Sequence, residues 1–176
     1  ARQNNCTRQG RQGIMNIDQF LKLVKNRRSI RQFKADPVPE EYIQKILDAG
    51  RCAMSGANGQ PWEFIVIRDK EVMRQLYEAG AESERQTATI ETSRTQEMRQ
   101  PWYRDLPDIV PPSRFSDAPV IIAVLGDPRT AQATVLNRLT DRRWVVDENI
   151  ANASQIIHLA AAACGLASQW VTVDRY

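Results

Sequence analysis

A single histidine, three cysteines and no long apolar run are what this 176-residue chain has least of, and each shortage removes a class of function. His158 lies in an apolar helical stretch, with no second imidazole to share a metal and no triad partner in view, so it reads as structural. Cys6, Cys52 and Cys164 form an odd set without Cys-x-x-Cys spacing. That pattern gives neither a disulfide framework nor a zinc motif, and it suits a reducing cytoplasm. No stretch approaches the roughly 18 consecutive apolar residues of a membrane span, and the first residues lack the apolar segment of a secretory leader. A soluble, cytoplasmic protein is expected.

Charge of one sign is also scarce. The formal net charge of +3 comes from residues 1–14, where Arg2, Arg8 and Arg11 meet no acid, and the rest of the chain is balanced. A basic face for nucleic acid is not expected. The head is rich in Gln, Asn, Arg and Gly, and it reads as a disordered or appended leader ahead of a natural start at Met15. A functional basic arm is the rival reading of that head. Residues 15–176 read as one domain, because 42% hydrophobic residues suffice to close a single core.

The pattern along the chain gives helices and short strands in turn with breaks at Gly and Pro. Asn16 precedes the stripe Ile17, Phe20, Leu21 and Val24, with Gln19 placed to complete a capping box, and this predicts a helix to about Lys25. Pro37-Val38-Pro39 breaks the chain, and Pro39-Glu40-Glu41 opens a second helix that ends near Ala53. Phe64 to Ile67 is a β-branched run of the kind buried on both faces of a sheet. Asp69 is placed to cap a third helix, Val120 to Leu125 reads as a strand, and Val145 to Ala163 is a long apolar helix stopped by Gly165. Residues 80–116 carry balanced charges and then prolines, and they read as charged helix followed by irregular loop, either a lid or a surface insertion. Gln169 to Val173 looks like a strand, and the chain, ending at Tyr176 directly behind it, reads as C-terminally incomplete.

Two segments carry candidate chemistry. Arg27, Arg28 and Arg31 bracket Ser29 just past the first helix, and guanidinium forks match phosphate oxygens bidentately at every working pH. Taken alone, the segment reads better as a cationic helix C-terminus that complements the dipole. The loop Ser55 to Trp62 sets Gly56 and Gly59, where backbone can approach a flat ligand, beside the neutral hydrogen-bonding groups of Ser55, Asn58 and Gln60. Trp62 reads as a core anchor.

These segments also carry a family pattern. Arg-Arg-Ser-x-Arg after the first helix, Pro-Val-Pro-Glu-Glu opening the second, Ser-Gly-x-Asn-x-Gln-Pro-Trp before the first strand and Gly-Leu-x-Ser near the end resemble the nitroreductase superfamily in order and spacing. The resemblance runs from Ile17 to Val173 and is weakest over 80–116. It implies an α+β sandwich, a mixed central β-sheet flanked by helices, in an intertwined homodimer with FMN at the subunit interface. By the same resemblance, Arg27, Arg28, Ser29 and Arg31 contact the phosphate, ribityl chain and pyrimidine edge of FMN, Arg31 lying nearest the pyrimidine, where a cation stabilises negative charge on the reduced ring. Met54, Ser55, Gly56 and Asn58, with Gln60 nearby, come from the partner subunit, and Trp170, Val171 and Thr172 pass the ring. No catalytic side chain and no metal are implied. The implied activity is a ping-pong oxidoreductase in which NADH or NADPH reduces FMN and a nitroaromatic, quinone or similar small-molecule acceptor takes the electrons. Two departures stand out: Met54 replaces a proline common in the family, and the family's further C-terminal basic ligand is missing. A halotyrosine deiodinase, suggested by Glu91, Trp102, Tyr103 and Asp105, and a flavin-binding module without turnover are the alternatives.

Overall fold

The computed structural model describes residues 15–99, 115–127, 129 and 144–171. The arginine-bearing head, Trp102, Tyr103, Asp105 and the sequence-predicted site residue Thr172 all lie outside the described residues. Within them the chain is α+β: helices α1 (Ile17–Asn26), α2 (Glu40–Arg51), α3 (Lys70–Thr92) and α4 (Trp144–Ala163), with strands β1 (Trp62–Ile67) and β2 (Ile121–Gly126). No helix among the described residues is long and apolar enough to cross a membrane.

The helix ends follow the side-chain chemistry written at them. At α1, Asn16 Oδ1 accepts from the Gln19 N–H at 2.8 Å and Gln19 Oε1 accepts from the Asn16 N–H at 3.1 Å, the reciprocal capping box the spacing predicts. Asp69 Oδ1 accepts from the Glu71 and Val72 N–H groups at the start of α3. At the end of α4, Gly165 takes φ +74°, and the N–H groups of Gly165 and Leu166 donate back to Ala162 O and Ala161 O. That is a Schellman stop, and it turns the chain back along the helix it has just left.

β1 and β2 pair antiparallel from Trp62 opposite Gly126 to Ile67 opposite Ile121. The expected mixed sheet is therefore, among the described residues, an antiparallel pair plus one isolated parallel bridge between Ser29 and Ser168. No named strand covers 169–171. The expectation that β1 is buried on both faces is also corrected. Alternate residues point to opposite faces, and among the described residues the helices cover only one of them. Phe64, Ile122 and Val124 pack on the core of Ile46, Ile157 and Ala161, while Ile65 on the other face remains 48% exposed.

α4 organises the core, which explains why it has so little polar surface. At Gly50 an added Cβ would meet Ile157 Cγ1 at 2.9 Å, so α2 lies against α4 at glycine distance. At Gly126 a Cβ would meet Val146 Cγ1 at 2.7 Å, so the end of β2 is equally close. α1, by contrast, contributes no buried residue: its stripe of Ile17, Phe20, Leu21 and Val24 is 38 to 65% exposed. Trp62 is buried, as a core anchor should be.

Candidate cofactor-binding site

The arginine segment begins where α1 ends. Arg27 is its C-cap, with extended backbone and its N–H donating to Leu23 O at 3.0 Å. Arg28 folds back, its Nη1 donating to Lys25 O and to Arg27 O, so this guanidinium serves the helix terminus. Ser29 pairs with Ser168, and the Ile30 N–H donates to Ser168 O at 3.1 Å. Arg28, Ser29 and Arg31 are exposed and Arg27 is half-buried. An open cavity of about 540 Å³ lies beside this segment, lined by Lys22, Arg27 and Arg28 over an apolar floor that includes Leu23, Ile30 and Leu166.

The second half of the expected site, residues 54–60, is held by two amides of α4 that sequence reasoning did not single out. The buried Asn149 accepts the Gly56 N–H on Oδ1 at 3.1 Å, and Asn152 Nδ2 donates to Met54 O at 3.3 Å. The loop closes on itself through Asn58 N–H to Ser55 O and Gln60 N–H to Ser55 Oγ, both 3.0 Å. The left-handed residues here are not the glycines: Ala57, Asn58 and Gln60 have φ of 52°, 54° and 46°, whereas Gly59 sits at −69°. Asparagine tolerates that region, but alanine and glutamine pay roughly 1 kcal/mol or more each, which the surrounding hydrogen bonds must hold in place. Met54 projects 79% exposed.

Trp170 is 46% exposed and Val171 half-buried. The indole stacks on the His158 ring, centroids 6.2 Å apart and planes 18° from parallel. His158 Nδ1 shares a 2.7 Å hydrogen bond with Ser168 Oγ, the donor being set by the tautomer. Burial first, and the Arg27 charge second, push the imidazole pKa below its usual value. His158, Ser168, Trp170 and the arginine segment therefore form one cluster.

The structure brings Arg27, Arg28 and Ser29 together with Trp170 through Ser168, leaves Arg31 exposed outside the cavity lining, and gathers Met54, Ser55, Gly56, Asn58 and Gln60 in a second group. It does not bring the two groups into one pocket: none of residues 54–60 lines the cavity beside the arginines. Asn149 and His158, which hold the two groups, stand about two and a half turns apart on α4, hence on opposite sides of it and about 14 Å apart along its axis. A sequence signal for both anchors exists in hindsight: Asn149, Asn152 and His158 are polar side chains in a largely apolar helix, though Asp147, Glu148, Ser154 and Gln155 are polar there too. Glu91 of the suggested deiodinase set is turned inward, 3% exposed and paired with Arg94 Nη1 at 2.9 Å.

The family model for the nitroreductase family matches residues 24–173. A protein of Methanothermobacter thermautotrophicus, provisionally named NADH dehydrogenase/NAD(P)H nitroreductase, is 32% identical over 154 residues, covering 87% of this chain. The chain spans 60% of that relative's length. The iodotyrosine deiodinase of Nematostella vectensis is 33% identical over 88 residues, half of this chain and 31% of the deiodinase. Among solved structures, an FMN-dependent nitroreductase of Clostridium difficile R20291 superposes with a TM-score of 0.56 at 27% identity, covering 87% of this chain and 66% of that one.

Proposed function

The chain belongs to the nitroreductase family, and from that premise we propose that it is a flavin-dependent oxidoreductase, working as a homodimer whose two chains each complete the other's FMN site. NADH or NADPH is the proposed electron donor, and a nitroaromatic, quinone or similar small molecule the acceptor. The observation that carries the two-chain reading is the placement of the arginine segment and the 54–60 loop on opposite sides of α4, with the cavity beside the arginines lacking every loop residue.

The residues present fit such a group. Lys22 and Arg27 put cationic charge at one end of a cavity whose floor is apolar, the combination an anionic phosphate joined to a flat ring requires. The exposed Arg31, for which no hydrogen bond appears among the described residues, is available for the pyrimidine edge. The loop offers neutral amides and backbone groups held in a fixed, strained shape, which suits carbonyl and ring-nitrogen edges better than charged side chains do. Trp170 and Val171 lie on the arginine side, next to Ser168 of the cavity lining, and the exposed Met54 offers a polarisable side chain to the partner's cavity. Bound there, FMN supplies two-electron transfer between a nicotinamide donor and a second acceptor, so the chain itself needs no nucleophile. The uncovered stripe of α1 gives the partner chain an apolar surface to dock on.

An acceptor of the halotyrosine type is less favoured by this arrangement, because the Glu91 carboxylate is buried against the partly exposed Arg94 and is not presented to a ligand. The deciding experiment is spectroscopic. Purified protein incubated with FMN and then desalted should retain flavin absorbance, bleach under NADH or NADPH without oxygen, and recover when a quinone is added. Loss of all flavin on desalting defeats the proposal, and retained flavin that neither donor bleaches reduces it to a binding module.

A further inference from the structure

His158 is a costly residue to place where it stands. A buried imidazole gives up its hydration, and only a specific partner offsets that loss. Leucine or phenylalanine would fill the same space in α4 without that cost, so the meaning lies in what the ring touches. It touches two residues of one short segment, Ser168 through Nδ1 at 2.7 Å and Trp170 through stacking. Ser168 in turn spends its carbonyl on the Ile30 N–H and pairs with Ser29. Among the described residues, this pairing is where the stretch 28–38 is tied by backbone to the rest of the protein. Arg27 and Arg28 also bond back to α1, but α1 itself buries no residue and is a weak anchor for them. Beyond the Gly165–Leu166 turn, whose N–H groups bond to Ala162 O and Ala161 O, the side-chain tie from the core helix to Ser168, and so to the arginine backbone, is this imidazole.

We propose that His158 is a positioning residue: by clamping Ser168 and Trp170 against α4 it fixes the backbone of residues 28–31, and so the arginine side of the proposed flavin site, in its binding geometry. The part concerning FMN rests on the function proposed above; the clamp itself does not. Because the clamp works through the hydrogen bond to Ser168, a side chain that keeps only ring volume is insufficient, and one that keeps only the polar atom partly restores it.

His158→Phe retains the stack and removes the hydrogen bond, while His158→Asn sets an amide close to where Nδ1 stood. Residue-resolved amide exchange is followed in wild type and both variants, with the Asp127 N–H, which donates to Pro61 O far from the clamp, as internal control. The expected result is exchange at Ile30 faster by about tenfold or more in His158→Phe, partly recovered in His158→Asn, with Asp127 unchanged. In parallel, the FMN dissociation constant of the full chain, read by quenching of flavin fluorescence, should rise by about tenfold in His158→Phe. Unchanged Ile30 protection in folded His158→Phe overturns the clamp. If that variant does not fold, Ser168→Ala removes the same bond from the half-buried side and gives the same readout. Should wild-type protein fail to bind FMN while the Ile30 result holds, the proposed function falls and the clamp stands.

Discussion

Replacing Gly50 by alanine tests the packing on which the site depends. Gly50 lies in the last turn of α2, and a Cβ there would meet Ile157 Cγ1 at 2.9 Å, Ile157 Cδ1 at 3.1 Å and Phe64 Cζ at 3.2 Å. Two effects oppose each other. Alanine in place of glycine favours a helix by roughly 0.5–1 kcal/mol, less at a frayed end. Forcing a methyl group into a filled core costs typically 1–3 kcal/mol. Relief by rotation is restricted, because Ile157 is β-branched within a helix and its Cγ1 is confined to one dominant rotamer. Phe64 is also fixed, by its place in β1 over the same core. The packing term wins, and Gly50→Ala should destabilise the protein by about 1–2 kcal/mol, lowering the melting temperature by about 2–4 °C per kcal/mol for a domain of this size. Urea unfolding followed by far-UV circular dichroism reads the change. Pairing it with Ile157→Ala, which removes the clashing atoms, should give less than the sum of the two losses. A Gly50→Ala protein more stable than wild type by the full helix-propensity gain would refute the close approach of α2 to α4.

Three further outcomes follow from the site. Asn149→Ala removes the buried acceptor of the Gly56 N–H and should cost about 1–3 kcal/mol while speeding exchange at the Gly56 amide, and an unaltered Gly56 rate would show that the loop is not held from α4. The lowered His158 pKa means that the folded state takes up a proton less readily than the unfolded chain, so this contribution is complete above the unfolded value of about 6.5 and is lost as pH falls from there through the lowered folded value. Urea midpoints at two pH values on either side of that window should converge in His158→Phe relative to wild type, and equal pH dependence in both proteins contradicts the assignment. Arg27→Ala and Asn58→Ala chains should each bind FMN poorly alone, yet an equal mixture that exchanges subunits should recover up to about a quarter of the sites, since half the dimers carry one intact pair of surfaces. No recovery on mixing would place both surfaces of a site on one chain.

Local chemistry was legible wherever a side chain acts on backbone a few residues away. Asn16 with Gln19, Asp69 with the start of α3, and Gly165 after α4 each act over one turn, so their effect is independent of the rest of the fold. The loop's shape was not legible: its glycines were read as places for close backbone approach, yet the left-handed conformations fall on Ala57, Asn58 and Gln60, where hydrogen bonds accepted by Ser55 and Asn149 constrain the path. Periodicity misjudged β1 for a related reason. A run of apolar residues records that a strand can be covered on both faces, while whether neighbours cover them depends on the packing of distant segments.

The amino-acid sequence by itself determined the four long helices, the two named strands and the family, because these depend on residue type and short-range spacing. Tertiary structure alone decided that one helix holds both the 54–60 loop and the arginine segment, through Asn149 and Asn152 on one side and through His158 and Ser168 on the other. A polar residue in an apolar helix carries no record of its partner; the partner is chosen when the chain folds back on itself, at a separation no local pattern encodes.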